Sequence, residues 1–178
     1  MRDLANSDRI QEFMRRFGRE ARTEASVYFT GGTTAVLMGW RDATVDIDLR
    51  FYPELDELFR AIPKIKEDLQ INVELAAPSD FIPTLPGWRD RCKYIGREGK
   101  VSFFHYDPYS QALSKIERGH ESDMRDVESM LSDGLVEREK LLTLFHEIEP
   151  QLYKYPAIDP KDFAKSVEKV VGEIGPKK

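Results

Sequence analysis

Cysteine is almost absent: Cys92 is the only one in 178 residues. No disulfide can form within the chain, and no cysteine-rich zinc site can be built. Histidine is scarce as well, and His105, His120 and His146 are too scattered to give a metal-ligand spacing. No apolar run approaches the length of a membrane span, and the opening Met1-Arg2-Asp3-Leu4-Ala5-Asn6 lacks the apolar stretch of a signal peptide. A cytoplasmic chain with no membrane partner is the expectation. An excess of positive charge is missing too. Lysines and arginines number 27 against 32 aspartates and glutamates, a formal net charge of −5. That argues against broad non-specific nucleic-acid binding, while a local basic patch for a small anion or one RNA end stays open.

What is present is an ordinary globular composition, 40% hydrophobic and 33% charged, sized for one domain plus a small helical appendage. Ile10, Phe13, Met14 and Phe17 fall at helical spacing and predict an amphipathic helix over 8–20. A strand is expected over Ser26–Thr30, a short helix over Thr33–Met38, a strand over Thr44–Phe51, and a helix from Pro53 that Pro63 kinks or splits. Ile71–Leu75 alternates as a further strand. The stretch 76–91, with three prolines, is irregular; 93–97 and 100–106 read as a hairpin about Glu98-Gly99. Asp107-Pro108 is a helix start, and three more helices follow, beginning near Ser122, Glu137 and Pro160. The tail Gly175-Pro176-Lys177-Lys178 is expected to fray.

The chemistry concentrates in 27–51. Gly31-Gly32 closes an apolar run and opens a short helical one. In Val45-Asp46-Ile47-Asp48-Leu49-Arg50-Phe51 apolar and charged residues alternate strictly, the period of a half-buried strand. Asp46 and Asp48 then share one face, while Val45, Ile47, Leu49 and Phe51 point into a core. Two carboxylates side by side on a rigid strand repel, and a divalent cation is the usual remedy.

These residues carry a resemblance. Gly31-Gly32, a short helix, and Arg41-Asp42-Ala43-Thr44-Val45-Asp46-Ile47-Asp48 resemble the motif of the DNA polymerase β-type nucleotidyltransferase fold. There a Gly-Gly or Gly-Ser turn precedes an Asp-x-Asp strand. The fuller form, Arg-x-x-Thr-x-Asp-Ile-Asp, is similar to the minimal nucleotidyltransferases of the AbiEii toxin type. Lys115-Ile116-Glu117-Arg118, followed by Asp123 and Asp126, is similar to a Lys-x-x-Arg then Asp-x-x-Asp pattern on the helices of that group. The resemblance covers residues 27–131.

It implies an α/β (α+β) fold: a nucleotidyltransferase-type mixed sheet flanked by helices over 1–107, then a C-terminal helical segment over 108–178, packed as one unit. It implies Mg²⁺-dependent transfer of a nucleoside monophosphate from a nucleoside triphosphate to an acceptor hydroxyl on an RNA or tRNA end, a protein or a small molecule. A toxin–antitoxin role with an antitoxin-like protein partner goes with the AbiEii likeness. Asp46 and Asp48 would hold two metal ions, with Glu74 of the next strand as the third carboxylate and acceptor of the hydroxyl proton. Gly31, Gly32, Thr33, Arg41, Thr44, Lys115 and Arg118 would meet the nucleotide, the first of these through the opening N–H groups of the helix. The turn is Gly-Gly-Thr-Thr where many relatives have Gly-Ser, and the third carboxylate is glutamate where aspartate is more usual.

Each residue also has a plainer reading. Asp46 and Asp48 fit a solvated strand face, and Lys115 and Arg118 the wet side of a helix. Asp123 and Asp126 fit a helix start at the surface, with Asp126 near Arg118 or Arg125. Arg41 and Thr44 fit a turn into the strand. The alternative function is a non-catalytic module of the same fold that binds a nucleotide, RNA or protein.

Overall fold

The alternating stretch around Asp46 and Asp48 is a strand, and the segments on either side of it supply the sheet. The computed structural model describes residues 2–172; the tail 175–178 lies outside them. The chain forms two units. One comprises the chain up to Ala77 together with Cys92–Tyr106, the other Pro78–Arg91 together with the chain from Asp107 onward. Among the described residues no helix is long and apolar enough to cross a membrane.

In the first unit β1 (Ala5–Asn6) leads into α1 (Ser7–Glu20). Then come β2 (Ala25–Thr30), α2 (Gly31–Leu37), β3 (Ala43–Thr44), β4 (Asp46–Tyr52), α3 (Asp56–Leu69) and β5 (Asn72–Leu75), with β6 (Lys93–Glu98) and β7 (Val101–His105) completing it. Five strands form a mixed sheet in the order β5-β4-β2-β7-β6, and β1 pairs with β3 apart from it. β2 runs antiparallel to β4 and parallel to β7, β4 runs parallel to β5, and β6 and β7 form the expected hairpin. The fold is mixed α/β, as the strand and helix patterns predict.

The core lies on one face of this sheet. Phe13 and Phe17 of α1 stack at 5.1 Å, Phe17 meets the edge of Phe51 at 5.7 Å, and Phe29 stacks on Phe103 at 5.6 Å. Leu58, Ile62 and Ile65 of α3 join the same buried cluster. Each fully buried phenylalanine contributes roughly 1.5–3 kcal/mol of hydrophobic stabilisation, so this layer fixes which face of β4 is left for the aspartates.

Two expectations need correction here. Val45 is 65% exposed: the ladder breaks between β3 and β4, and the alternation runs one residue past the edge of the core. Of the two outcomes expected at Pro63, a kink or a split, the split does not occur: α3 runs unbroken from Asp56 to Leu69. Pro63 itself is exposed, so its ring does not intrude on the buried face of α3.

In the second unit α4 (Trp88–Arg91) is short. It is followed by α5 (Pro108–Arg118), α6 (Glu121–Ser132), α7 (Arg138–Ile148) and α8 (Pro160–Gly172). Asp107 caps α5, accepting from the Tyr109 N–H at 3.0 Å and the Ser110 hydroxyl at 2.7 Å. The Arg91 guanidinium grips the same buried carboxylate with two bonds, at 3.1 and 2.8 Å. The Tyr155 hydroxyl donates to Ser79 O at 3.3 Å. These bonds tie the proline-rich 78–91 stretch to the helices that follow it in space, whereas the sequence divides the chain at 107.

Asp123 and Asp126 are not surface residues. Each is 2% exposed, and Lys115 is 4% exposed. The helical period alone places polar residues on the wet side, but α5 and α6 turn these three toward each other.

Candidate metal centre

β4 and β5 are parallel neighbours with Asp46 opposite Asn72 and Asp48 opposite Glu74. Residues two apart on a strand share a face, so the four side chains form a block of two by two. The crossover through α3 that joins the two strands makes this pairing parallel. Asp46, Asp48 and Glu74 each offer a carboxylate oxygen such that all three lie within 4.8 Å of one another. Asp46 and Asp48 are half-buried and Glu74 is exposed. Three like charges at this spacing favour a bound cation. The donors are all hard oxygens, a set suited to Mg²⁺ or Mn²⁺ and not to the nitrogen and sulfur preferences of zinc.

The backbone beneath the carboxylates is held by α2 and β3. Asp48 N–H donates to the Thr33 hydroxyl at 3.1 Å, and that hydroxyl donates to Asp46 O at 3.4 Å. The Thr44 hydroxyl donates to the same carbonyl at 3.1 Å. Thr33 is fully buried, so its side chain serves the strand. Thr34 likewise donates inward, to Phe29 O at 3.3 Å, and its oxygen lies 3.0 Å from Nδ1 of His105. Burial pushes the His105 imidazole down to about 4, so it is neutral near pH 7.

The two glycines are needed for space. Gly31 has φ +60, and a Cβ there would stand 2.6 Å from Asp48 Oδ2. A Cβ on Gly32 would overlap the Thr44 hydroxyl and lie 3.7 Å from the Arg41 guanidinium. Gly31, Gly32, Thr33, Arg41 and Thr44 are therefore gathered around β4. α2 begins at Gly31 itself, so the glycines form its first turn instead of preceding it.

Lys115 and Arg118 have partners within the helical unit. Lys115 Nζ donates to Asp126 at 2.7 Å and lies 3.5 Å from Asp123. Arg118 makes two bonds to Asp123, at 2.7 and 2.6 Å. Burial pushes the Asp123 carboxyl up, but the Arg118 hydrogen bond and the charges of Lys115 and Arg118 outweigh it and hold the group below its ordinary value.

Sequence alternation places Asn72 on the face of Glu74 but assigns it nothing. Its amide donates to Asp46 Oδ1. Only the strand register reveals that partnership, and likewise the Thr33 and Thr44 contacts, which depend on how α2 lies against β4.

With this geometry in place, comparison with known proteins is informative. Residues 8–169 match the family described as a nucleotidyltransferase of unknown function (DUF6036). The chain belongs to this family. Comparison with curated proteins and with solved structures gives no match. The nucleotidyltransferase-family match spans β2 to β5 and nearly all the helices, so both the carboxylate block and the Lys115–Asp126 pair fall within it.

Proposed function

We propose that this nucleotidyltransferase-family chain is an active, Mg²⁺-dependent enzyme. It would move a nucleoside monophosphate from a nucleoside triphosphate to an acceptor hydroxyl. The observation that supports this most is the convergence of Asp46, Asp48 and Glu74 on neighbouring strands. Asp46, Asp48 and Glu74 would hold the ions, and bound Mg²⁺ would supply charge neutralisation and Lewis-acid polarisation of phosphate oxygens.

The chain's own residues would do the rest. Gly31 and Gly32, by lacking side chains, let Asp48 Oδ2 and the Thr44 hydroxyl lie against the start of α2, so the turn and the strand that would carry the ions are held as one piece. The acceptor oxygen bonds to the α-phosphorus, pyrophosphate leaves, and the hydroxyl proton passes to Glu74, the exposed and therefore reachable carboxylate. Thr33 and Thr44 keep the backbone of β4 from shifting while this happens.

The test is to incubate the protein with each labelled nucleoside triphosphate, Mg²⁺, and total RNA or protein, alongside Asp48→Asn. Transfer by the wild type and its loss in the variant by at least about 100-fold is expected, since the metal's effect is worth several kcal/mol. No transfer to any acceptor, together with no Mg²⁺-dependent nucleotide binding, would overturn the proposal.

A further inference from the structure

Three corners of the β4–β5 block are acids, and the fourth is Asn72. A carboxylate can only accept, so the close contact between Asn72 and Asp46 Oδ1 has the amide as donor. Among the described residues no other side chain bonds the Asp46 carboxylate, and Thr33 and Thr44 reach only its main-chain carbonyl.

We propose that Asn72 is a positioning residue for the metal centre: its amide ties down one oxygen of Asp46 so that the other is presented to the cation. This rests on the reading of Asp46, Asp48 and Glu74 as a divalent-cation site.

The physical reason is the softness of a carboxylate's last torsion. An aspartate whose backbone is fixed still swings its two oxygens over a broad, roughly two-fold well. A donor on one oxygen removes that freedom before the ion arrives, so less ordering remains to oppose binding. Outer partners of this kind commonly set metal affinity by about 10–100-fold. The residue type fits the task. Aspartate at this corner would add a fourth like charge and donate nothing, and serine would be too short to reach across the strand spacing.

Asn72 is itself held. Ile71 beside it is fully buried. Ile71 O accepts from the Arg2 guanidinium at 3.0 Å, and Gln70 O accepts from Asp3 N–H at 2.7 Å. The edge strand β5 is thus pinned at its start by the chain's first residues, and the amide is delivered at a fixed height against Asp46.

The experiment is Mn²⁺ binding to the full chain, by calorimetry and by the Mn²⁺ EPR spectrum. It compares wild type, Asp48→Asn, Asn72→Leu, Asn72→Ser and Asn72→Gln, each with its metal-free melting temperature. Asn72→Leu keeps the branched shape and loses the donor; Asn72→Ser is the second variant should the bulkier leucine disturb folding. Both are expected to weaken Mn²⁺ by about 10-fold or more and to broaden the spectrum, with the metal-free melting temperature held. Asn72→Gln, which still carries an amide, is expected to recover most of the affinity. Wild-type Mn²⁺ affinity in Asn72→Leu and Asn72→Ser, with Asp48→Asn impaired, would overturn the role of Asn72 alone. No Mn²⁺ binding by the wild type, or full binding by Asp48→Asn, would overturn the metal site and this inference with it.

Discussion

Asp123 and Asp126 stand three residues apart on α6, Asp46 and Asp48 two apart on β4, and the two pairs are treated in opposite ways. The α6 pair is buried, and Lys115 and Arg118 are placed on it at 2.6–2.7 Å. The β4 pair is half-open to solvent, a third acid is brought up to it, and Asp46 receives a neutral amide in place of a cation. Buried carboxylates cannot remain charged without a partner, so the helical unit must provide its own. Carboxylates at an open face can stay charged in water, so Asp46 and Asp48 are under no such requirement. Three acids gathered where solvent reaches them are what the proposed cation site calls for, whereas acids buried on their own cations are what a scaffold calls for.

The largest effect should come from removing the helical unit's cation. Lys115→Met leaves Asp126 buried without its lysine and should cost about 3–5 kcal/mol of stability in urea unfolding. Lys115→Met with Asp126→Leu, which removes both charges, should recover most of that loss. Mn²⁺ affinity is expected to be unaffected in the single variant. A drop in Mn²⁺ affinity matching that of Asp48→Asn would erase the distinction between the two acid groups.

Acid should separate the two units next. His105 is neutral when folded, so as pH falls from 6.5 toward about 4 the unfolded chain takes up a proton that the folded one refuses. Stability should fall through that window by about 3 kcal/mol in all, because each tenfold difference in proton affinity between the two states is worth about 1.4 kcal/mol. His105→Gln should flatten this slope. Asp123 has a folded value depressed below 3.8. Its contribution is present above 3.8 and is lost only as pH drops below that, through the folded value. Amide exchange read segment by segment should therefore loosen around β2 and β7 before α5 and α6; the reverse order would contradict the assignment.

These contrasts also mark how far the sequence could be read. The alternation in β4 follows from a single covered face and puts Asp46 and Asp48 on the other; in β5 it puts Glu74 on the face of Asn72, although Leu75 is 48% exposed, and the approach of Glu74 to Asp48 comes from the strand pairing. Asp107-Pro108 and Gly119 bound α5 as expected, because caps are local chemistry: Gly119 sits at φ +71. Lys115 and Arg118 could not be read the same way. Their i,i+3 spacing is the same whether a face meets water or the carboxylates of the next helix, and only the packing of α5 on α6 decides it. Val45 failed for a related reason, since a period says which face a residue takes but not where the core ends. Asn72 and the Thr33 and Thr44 hydroxyls became meaningful only when register and helix placement gave them partners.

A smaller effect should appear at the junction of α2 and β4. Gly31→Ala forces a Cβ into a left-handed position at a cost of about 1–2 kcal/mol, and that Cβ would stand 2.6 Å from Asp48 Oδ2. Stability and Mn²⁺ affinity should fall together, because the same overlap strains the turn and displaces a ligand. A stability loss with unchanged Mn²⁺ affinity would detach Gly31 from the metal centre.

The smallest predicted change has the opposite sign. Glu74 lies across from Asp48 on the neighbouring strand and is exposed, so solvent screens most of their repulsion. Glu74→Gln removes that repulsion and should stabilise the metal-free protein by a few tenths of a kcal/mol, at most about 1. A structural acid cannot behave this way: neutralising Asp126 should destabilise under the same conditions, because it strips a buried lysine of its partner. Adding Mn²⁺ should then invert the order. Wild type gains about 2.7 kcal/mol at a hundredfold excess over its dissociation constant, while Glu74→Gln, with one ligand fewer, gains less. Thermal melts with and without Mn²⁺ measure both halves of this prediction. Should Glu74→Gln melt lower than wild type in both, Glu74 belongs with the scaffold acids of α6 and not with Asp46 and Asp48.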